Sequence, residues 1–185
     1  MSHGGVDFQP VVRPPVPANA ALAAVARLLA AFNKLVLRIS MVALMLTAAV
    51  LTYSVVVRYF FHQPTDWQDE ASVFLLVGVI FLCAAYVQSL RGHIGIEALA
   101  GMLSPAANRV RMFLVDLVSF LFCTFFSWKS WTLFHEALVE GQTTSSTFAP
   151  PMWIPYSMMA LGMSVLALQL LVQVLTRLTG TREAP

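Results

Sequence analysis

Four long apolar runs constrain this chain more than anything else in it. A hydrocarbon core of about 30 Å takes roughly 20 apolar residues to cross as a helix. Runs at about residues 39–57, 71–90, 112–134 and 153–175 have that length. The first, second and fourth carry no charge, while the third holds Asp116 near its start and Lys129 near its end. None of them alternates, and lipid tolerates no open sheet edge, so strands are excluded. The expected fold is an all-α integral membrane protein with four transmembrane helices.

Charge content agrees. Only 11% of the residues are charged, against about 25% in a soluble domain, so lipid rather than water solvates most of the surface. A formal net charge of +2 gives no reason to expect a nucleic-acid partner. Cys83 and Cys123 fall inside apolar runs without a CxxC, and read as free thiols rather than a disulfide framework or a zinc site. The first run begins too late and is too long for a signal peptide, which makes it a permanent span.

The position of the charges predicts orientation. Arg13, Arg27, Lys34 and Arg38 precede the first span, Arg91, Arg109 and Arg111 lie between the second and third, and Arg177 and Arg182 follow the fourth. The other two connections hold Asp66, Asp69, Glu70, Glu136 and Glu140, with Arg58 and Lys129 as their cations. By the positive-inside rule both termini and the middle loop are cytoplasmic. The expected location is the inner membrane of a bacterium, with the two acidic loops facing outward.

Residues 1–17 are polar and proline-rich, and are expected to be disordered. From residue 18 to 38 the pattern turns helical. Arg27, Lys34 and Arg38 share one stripe, and Leu22, Val25, Leu29, Phe32 and Val36 fall opposite. That predicts an amphipathic interfacial helix whose cations touch anionic lipid; a plain extension of the first span is the alternative. The four-span domain then covers 39–176, with a cytoplasmic tail at 177–185.

Between the first two spans, Thr65 precedes Gln68 at capping-box spacing. Asp69 and Glu70 follow in the first helical turn, where the positive end of the dipole favours carboxylates. Trp67 suits the membrane–water boundary, and Arg58 is placed to pair with Asp69 or Glu70. A capped span explains these residues; so does an acidic docking lip. In the middle loop Gly92 breaks the helix after Arg91, and His93 has no partners at metal-ligand spacing. A short surface helix is expected over 98–103, and Ser104-Pro105 starts the third span. Asp116, an ionisable residue inside a span, is a functional candidate by default, although it lies only about a turn in. Lys129, between Trp128 and Trp131, can snorkel to the boundary. The Ser/Thr-rich segment 140–147 reads as a flexible outer loop.

In order, Arg58-Tyr59, then Trp67 with Asp69-Glu70, then Arg91, His93-Ile94 and Ile96-Glu97, and finally Trp153, Pro155 and Tyr156 resemble the DctQ-type small membrane subunit of tripartite ATP-independent periplasmic (TRAP) transporters. The resemblance covers about residues 20 to 175. It implies a non-enzymatic scaffold subunit that packs against a large DctM-type membrane subunit and helps dock a periplasmic DctP-type solute-binding protein. It implies sodium-coupled uptake of an organic acid, with the sodium ions in the large subunit and no cofactor in this chain. Arg58, Trp67, Asp69, Glu70, Arg91, His93 and Glu97 are the expected partner interface. The small subunit of another tripartite carboxylate system is the runner-up. A stand-alone drug–proton antiporter needs an acid in the first span, which has none. A disulfide oxidase needs paired outer cysteines, and a haem bundle needs histidines within spans; His62, His93 and His135 lie in loops or at an edge.

Overall fold

The computed structural model describes residues 16–17, 19–90, 104–179 and 181–182. Four long helices dominate them, and all four are long and apolar enough to cross a membrane. Helix α1 spans Ala20–Val56 and continues through a π-helical turn, Val57–Phe61. Helices α2 (Asp66–Ser89), α3 (Pro105–Val139) and α4 (Trp153–Thr179) follow.

Local chemistry sets the helix ends. Asn19 caps α1 by accepting the Ala21 N–H at 3.0 Å, and Ser104 caps α3 by accepting the Ala107 N–H at 3.3 Å, with Pro105 behind it. After the π turn His62 adopts a left-handed conformation (φ 53°) that stops the first helix. The capping box expected at the start of α2 does not form: Thr65 makes no side-chain cap bond, and both Thr65 and Gln68 are buried instead.

Between residues 20 and 56 there is no glycine or proline, so nothing interrupts helical hydrogen bonding. The expected arm (18–38) and first span are accordingly one helix of 37 residues, roughly 55 Å at 1.5 Å per residue. That exceeds the hydrocarbon thickness by about 25 Å. The excess carries Arg27, Lys34 and Arg38, all exposed, at the end of α1 opposite the α1–α2 turn. Within the expected apolar stripe Leu29 and Val36 are buried, whereas Val25 and Phe32 are exposed.

The helices pack in the order α1, α2, α4, α3, with α4 in contact with both α2 and α3 and more lightly with α1. A two-residue strand β1 (Val16–Pro17) pairs antiparallel with β2 (Thr181–Arg182) and brings the start of α1 beside the end of α4. Both ends of the helical bundle's chain therefore lie on one side, as four spans require.

Large apolar side chains cover the outside, while much of the interior is small or polar. Leu28, Met45, Ile80 and Phe122 are among the exposed residues; Asn33, Ser40, Thr47, Ser54, Ser72 and Ser130 are buried. On α1 the buried residues Leu29, Asn33, Val36, Ser40, Thr47 and Ser54 recur at spacings of three, four or seven, a seam turned towards α2 and α4. This is the arrangement expected in lipid, where small and polar side chains hold helices together. Many hydroxyls bond the carbonyl one turn back, as Thr47 does to Ala43 and Thr176 to Val172. Others join helices. Asn33 donates to Gln169 (3.4 Å), Gln88 donates to Gln173 (2.9 Å), Gln173 returns a bond to the Gln88 carbonyl (3.0 Å), and the Ser127 and Ser164 hydroxyls meet at 2.8 Å. An apolar cluster joins Cys123 on α3 to Met163, Ala167 and Leu170 on α4, with Phe81 of α2 and Phe120 packed against it.

Candidate functional site

Two polar clusters stand out from this bundle, one at each end. The first lies where α1 turns into α2. Two residues before the end of α1, Ser54 is buried and donates its hydroxyl to Asp69 Oδ1 at 3.1 Å. Arg58 Nη2 lies 3.9 Å from Asp69 Oδ2. Both side chains of that pair are about half exposed or more (61% and 49%), so it stabilises by less than about 1 kcal/mol. The serine bond, not the ion pair, fixes where the carboxylate points. Trp67 stands beside it, 48% exposed.

Glu70 plays a different part. Its Oε1 accepts the Thr144 hydroxyl at 2.7 Å, and its Oε2 is buried. The carboxylate thus ties the start of α2 to the α3–α4 connection. That connection is folded, in contrast to the flexible loop expected from its composition. Gly141, at φ +62°, turns the chain out of α3. The Thr144 N–H then bonds the Pro150 carbonyl (3.1 Å) and the Met152 N–H bonds the Gln142 carbonyl (2.8 Å). Of the expected interface residues, the structure brings Arg58, Trp67 and Asp69 to one exposed lip and turns Glu70 towards the loop. Arg91, His93 and Glu97 lie outside the described residues, as does the short helix expected over 98–103.

The second cluster lies at the end where α3 begins and α4 finishes. Asp116, only 3% exposed, accepts a bond from Arg177 Nε at 2.6 Å. The sequence places Asp116 near Arg109 and Arg111; the cation that reaches it in this pair comes from α4. A readable signal existed: an acid about a turn inside one end of span three and a base at the same end of span four lie at one depth. Arg111 bonds Asn108 Oδ1 through two nitrogens, at 3.1 and 2.9 Å. Lys129, at the other end of α3, sits 5.1 Å from the centre of the Trp128 ring, consistent with a snorkelling cation.

Among the described residues no group of three His, Cys, Asp or Glu could hold a metal ion. Four helices long enough to span, an interior in which some polar groups bond one helix to the next, and charged groups at the two ends define a small multi-pass membrane protein.

Comparison with known proteins places that class. Residues 47–180 match the family model for the DctQ component of tripartite ATP-independent periplasmic transporters, and the chain belongs to this family. A TRAP transporter small permease protein of Haemophilus influenzae, so described, is 24% identical over 156 residues, covering 84% of this chain and 92% of that one. No solved structure matches. The chain is therefore the small membrane component of a three-part transporter, which favours the TRAP reading over the other tripartite system.

Proposed function

We propose that this subunit is an immobile scaffold in the bacterial inner membrane. It packs against a large DctM-type subunit, and both its termini are cytoplasmic. In this reading the large subunit moves an organic acid in an elevator motion coupled to sodium entry. A DctP-type binding protein delivers the solute from the periplasm, and the Arg58–Trp67–Asp69 lip forms part of the face it or the large subunit meets. The sodium ions and the substrate belong to the other components, and this chain takes no cofactor and performs no catalysis.

The observation that carries the proposal is the use made of the interior polar groups. Carriers that move solute themselves keep broken helices and open polar sites near the midplane. Here the described spans are continuous, and Asn33–Gln169, Gln88–Gln173 and Ser127–Ser164 bond one helix to the next. Such bonds favour one fixed arrangement of the bundle. The distribution of Arg and Lys supports the orientation.

A mild-detergent pull-down of the tagged chain from its native membrane, with mass spectrometry of what accompanies it, tests the reading. A stoichiometric, many-span DctM-type protein is the expected result. Recovery of the chain alone or only with itself would overturn it.

A further inference from the structure

The basic end of the bundle holds a groove that the scaffold role does not use. It encloses about 250 Å³ and is lined by Arg109, Val110 and Phe113 from the first turns of α3 and by Arg177 and Leu178 from the last turn of α4. We propose that this groove binds an anionic phospholipid, with the phosphodiester between the two guanidiniums and an acyl chain along the apolar wall.

Three observations carry the assignment. First, the two cations are differently prepared. Arg177 is three-quarters buried and oriented by Asp116 through its Nε. A guanidinium has five N–H donors, more than one carboxylate can take up. Arg109 is exposed and has no hydrogen bond or ion pair among the described residues. Arg111, two residues on, is occupied by Asn108, so the free guanidinium at the mouth is that of Arg109. Secondly, the charge balance is positive: among the described residues at this end Arg109, Arg111 and Arg177 stand against Asp116, an excess of cations that attracts a phosphodiester. Arginine forks suit such oxygens. Thirdly, the walls are of two kinds. Val110, Phe113 and Leu178 supply an apolar flank, with Val110 and Leu178 exposed on helices that lipid surrounds. A soluble anion would meet the arginines but gain nothing from that flank; a phospholipid uses both. Basic pockets between spans on the cytoplasmic side are suited to acidic headgroups, and the inference rests on the orientation proposed above for its choice of leaflet.

The test is native mass spectrometry of the full chain, purified in mild detergent with its accompanying subunits, after addition of phosphatidylglycerol, of phosphatidylcholine or of inorganic phosphate. The expected result is retained phosphatidylglycerol that falls about tenfold in Arg109→Gln, the scale of losing a charge-assisted bond, and is unchanged in Lys129→Gln at the opposite end. Arg177→Gln could disturb the fold through Asp116, so the Asp116→Asn/Arg177→Gln pair serves as a second variant and is also expected to lose the lipid. Equal retention of phosphatidylglycerol by wild type and Arg109→Gln overturns the proposal. So does equal retention of phosphatidylcholine, or displacement of the lipid by millimolar inorganic phosphate, which would mark a free-anion site. The readout does not depend on transport, so a failed pull-down of the large subunit and a failed lipid site are separate outcomes.

Discussion

Replacing Gly162 with alanine should weaken this bundle more than a methyl group added at Gly78, the other helical glycine among the described residues. A Cβ built on Gly162 would lie 2.5 Å from both the carbonyl carbon and the carbonyl oxygen of Phe81, and 2.8 Å from its Cβ. Ordinary contact begins near 3.4 Å, so α2 and α4 would have to part by roughly 1 Å. All three obstructing atoms are backbone or Cβ, and none can swing aside by a rotamer change. Parting the helices would also stretch the two Gln88–Gln173 bonds on the same pair of helices. Overpacking of this kind costs about 1–3 kcal/mol, and the rigidity of the obstruction puts Gly162→Ala near 2–3 kcal/mol. Gly78 provides the control. A Cβ there would meet the Met158 Sδ at 2.7 Å, the far part of a flexible side chain that can repack, and Gly78→Ala should cost less than about 1 kcal/mol. Equilibrium unfolding in mixed dodecyl maltoside and SDS micelles measures both. If Gly162→Ala were no more destabilising than Gly78→Ala, the close α2–α4 approach would not be what sets this packing.

Other outcomes follow from the two ends of the bundle. Asp116→Asn and Arg177→Gln should each destabilise by about 2 kcal/mol, the scale of one charge-assisted bond, and the double variant by clearly less than their sum; additive losses in the same unfolding assay would show that the pair is not coupled. Charge reversal of Asp69 and Glu70 together should reduce uptake while leaving the protein in the membrane, as read by transport in whole cells and immunoblots of membranes. Asp69→Lys alone should already lower uptake, because Glu70 is turned to Thr144 and away from the lip; unchanged uptake in the double variant removes the lip from the interface. In a background lacking Cys83 and Cys123, Ser145→Cys should react with an impermeant maleimide in intact spheroplasts and Ala106→Cys only after lysis, and the reverse pattern would invert the orientation.

Much of this architecture is legible in the sequence, because the property that forms a span is length of apolar run, and nothing else in the chain competes with it. Gln88, Gln173 and Gln169 are less legible. A glutamine inside a span has no periodic signal of its own, and its partner is set by helix order, which runs α1, α2, α4, α3 rather than along the chain. The arm and first span fused for a plain reason: a change of surroundings from water to lipid leaves no mark on backbone hydrogen bonding unless glycine or proline accompanies it. Thr65 and Gln68 show the opposite failure. Their spacing allows a capping box, but both side chains are drawn into the bundle, and tertiary burial overrides the local motif. The segment 140–147 looked like solvent-exposed loop by composition, yet Thr144 and the Glu70 carboxylate fold it back onto α2.

A subunit whose long faces are Leu, Val, Met and Phe has little with which to choose a neighbour along those faces. Against such a surface, another apolar helix offers almost the same free energy as a lipid chain, since no water is released in lipid. Shape can add to that, but directional chemistry is confined to where polar groups reach the surface. Among the described residues those places include the Arg58–Trp67–Asp69 lip and the basic end around Arg109 and Arg177, besides the exposed Arg27, Lys34 and Arg38 on α1. Ser54 and Asp116, both buried, each hold one charged member of those groups in a set direction, at the boundary between the lipid-filled and the water-filled environment. Electrostatic attraction there is stronger than in bulk water and costs less desolvation than at the midplane. Partner selection by this subunit should therefore be sensitive to salt and to single charge changes at the Arg58–Trp67–Asp69 lip, and tolerant of apolar exchanges such as Leu114→Ile or Val118→Leu along its exposed flank.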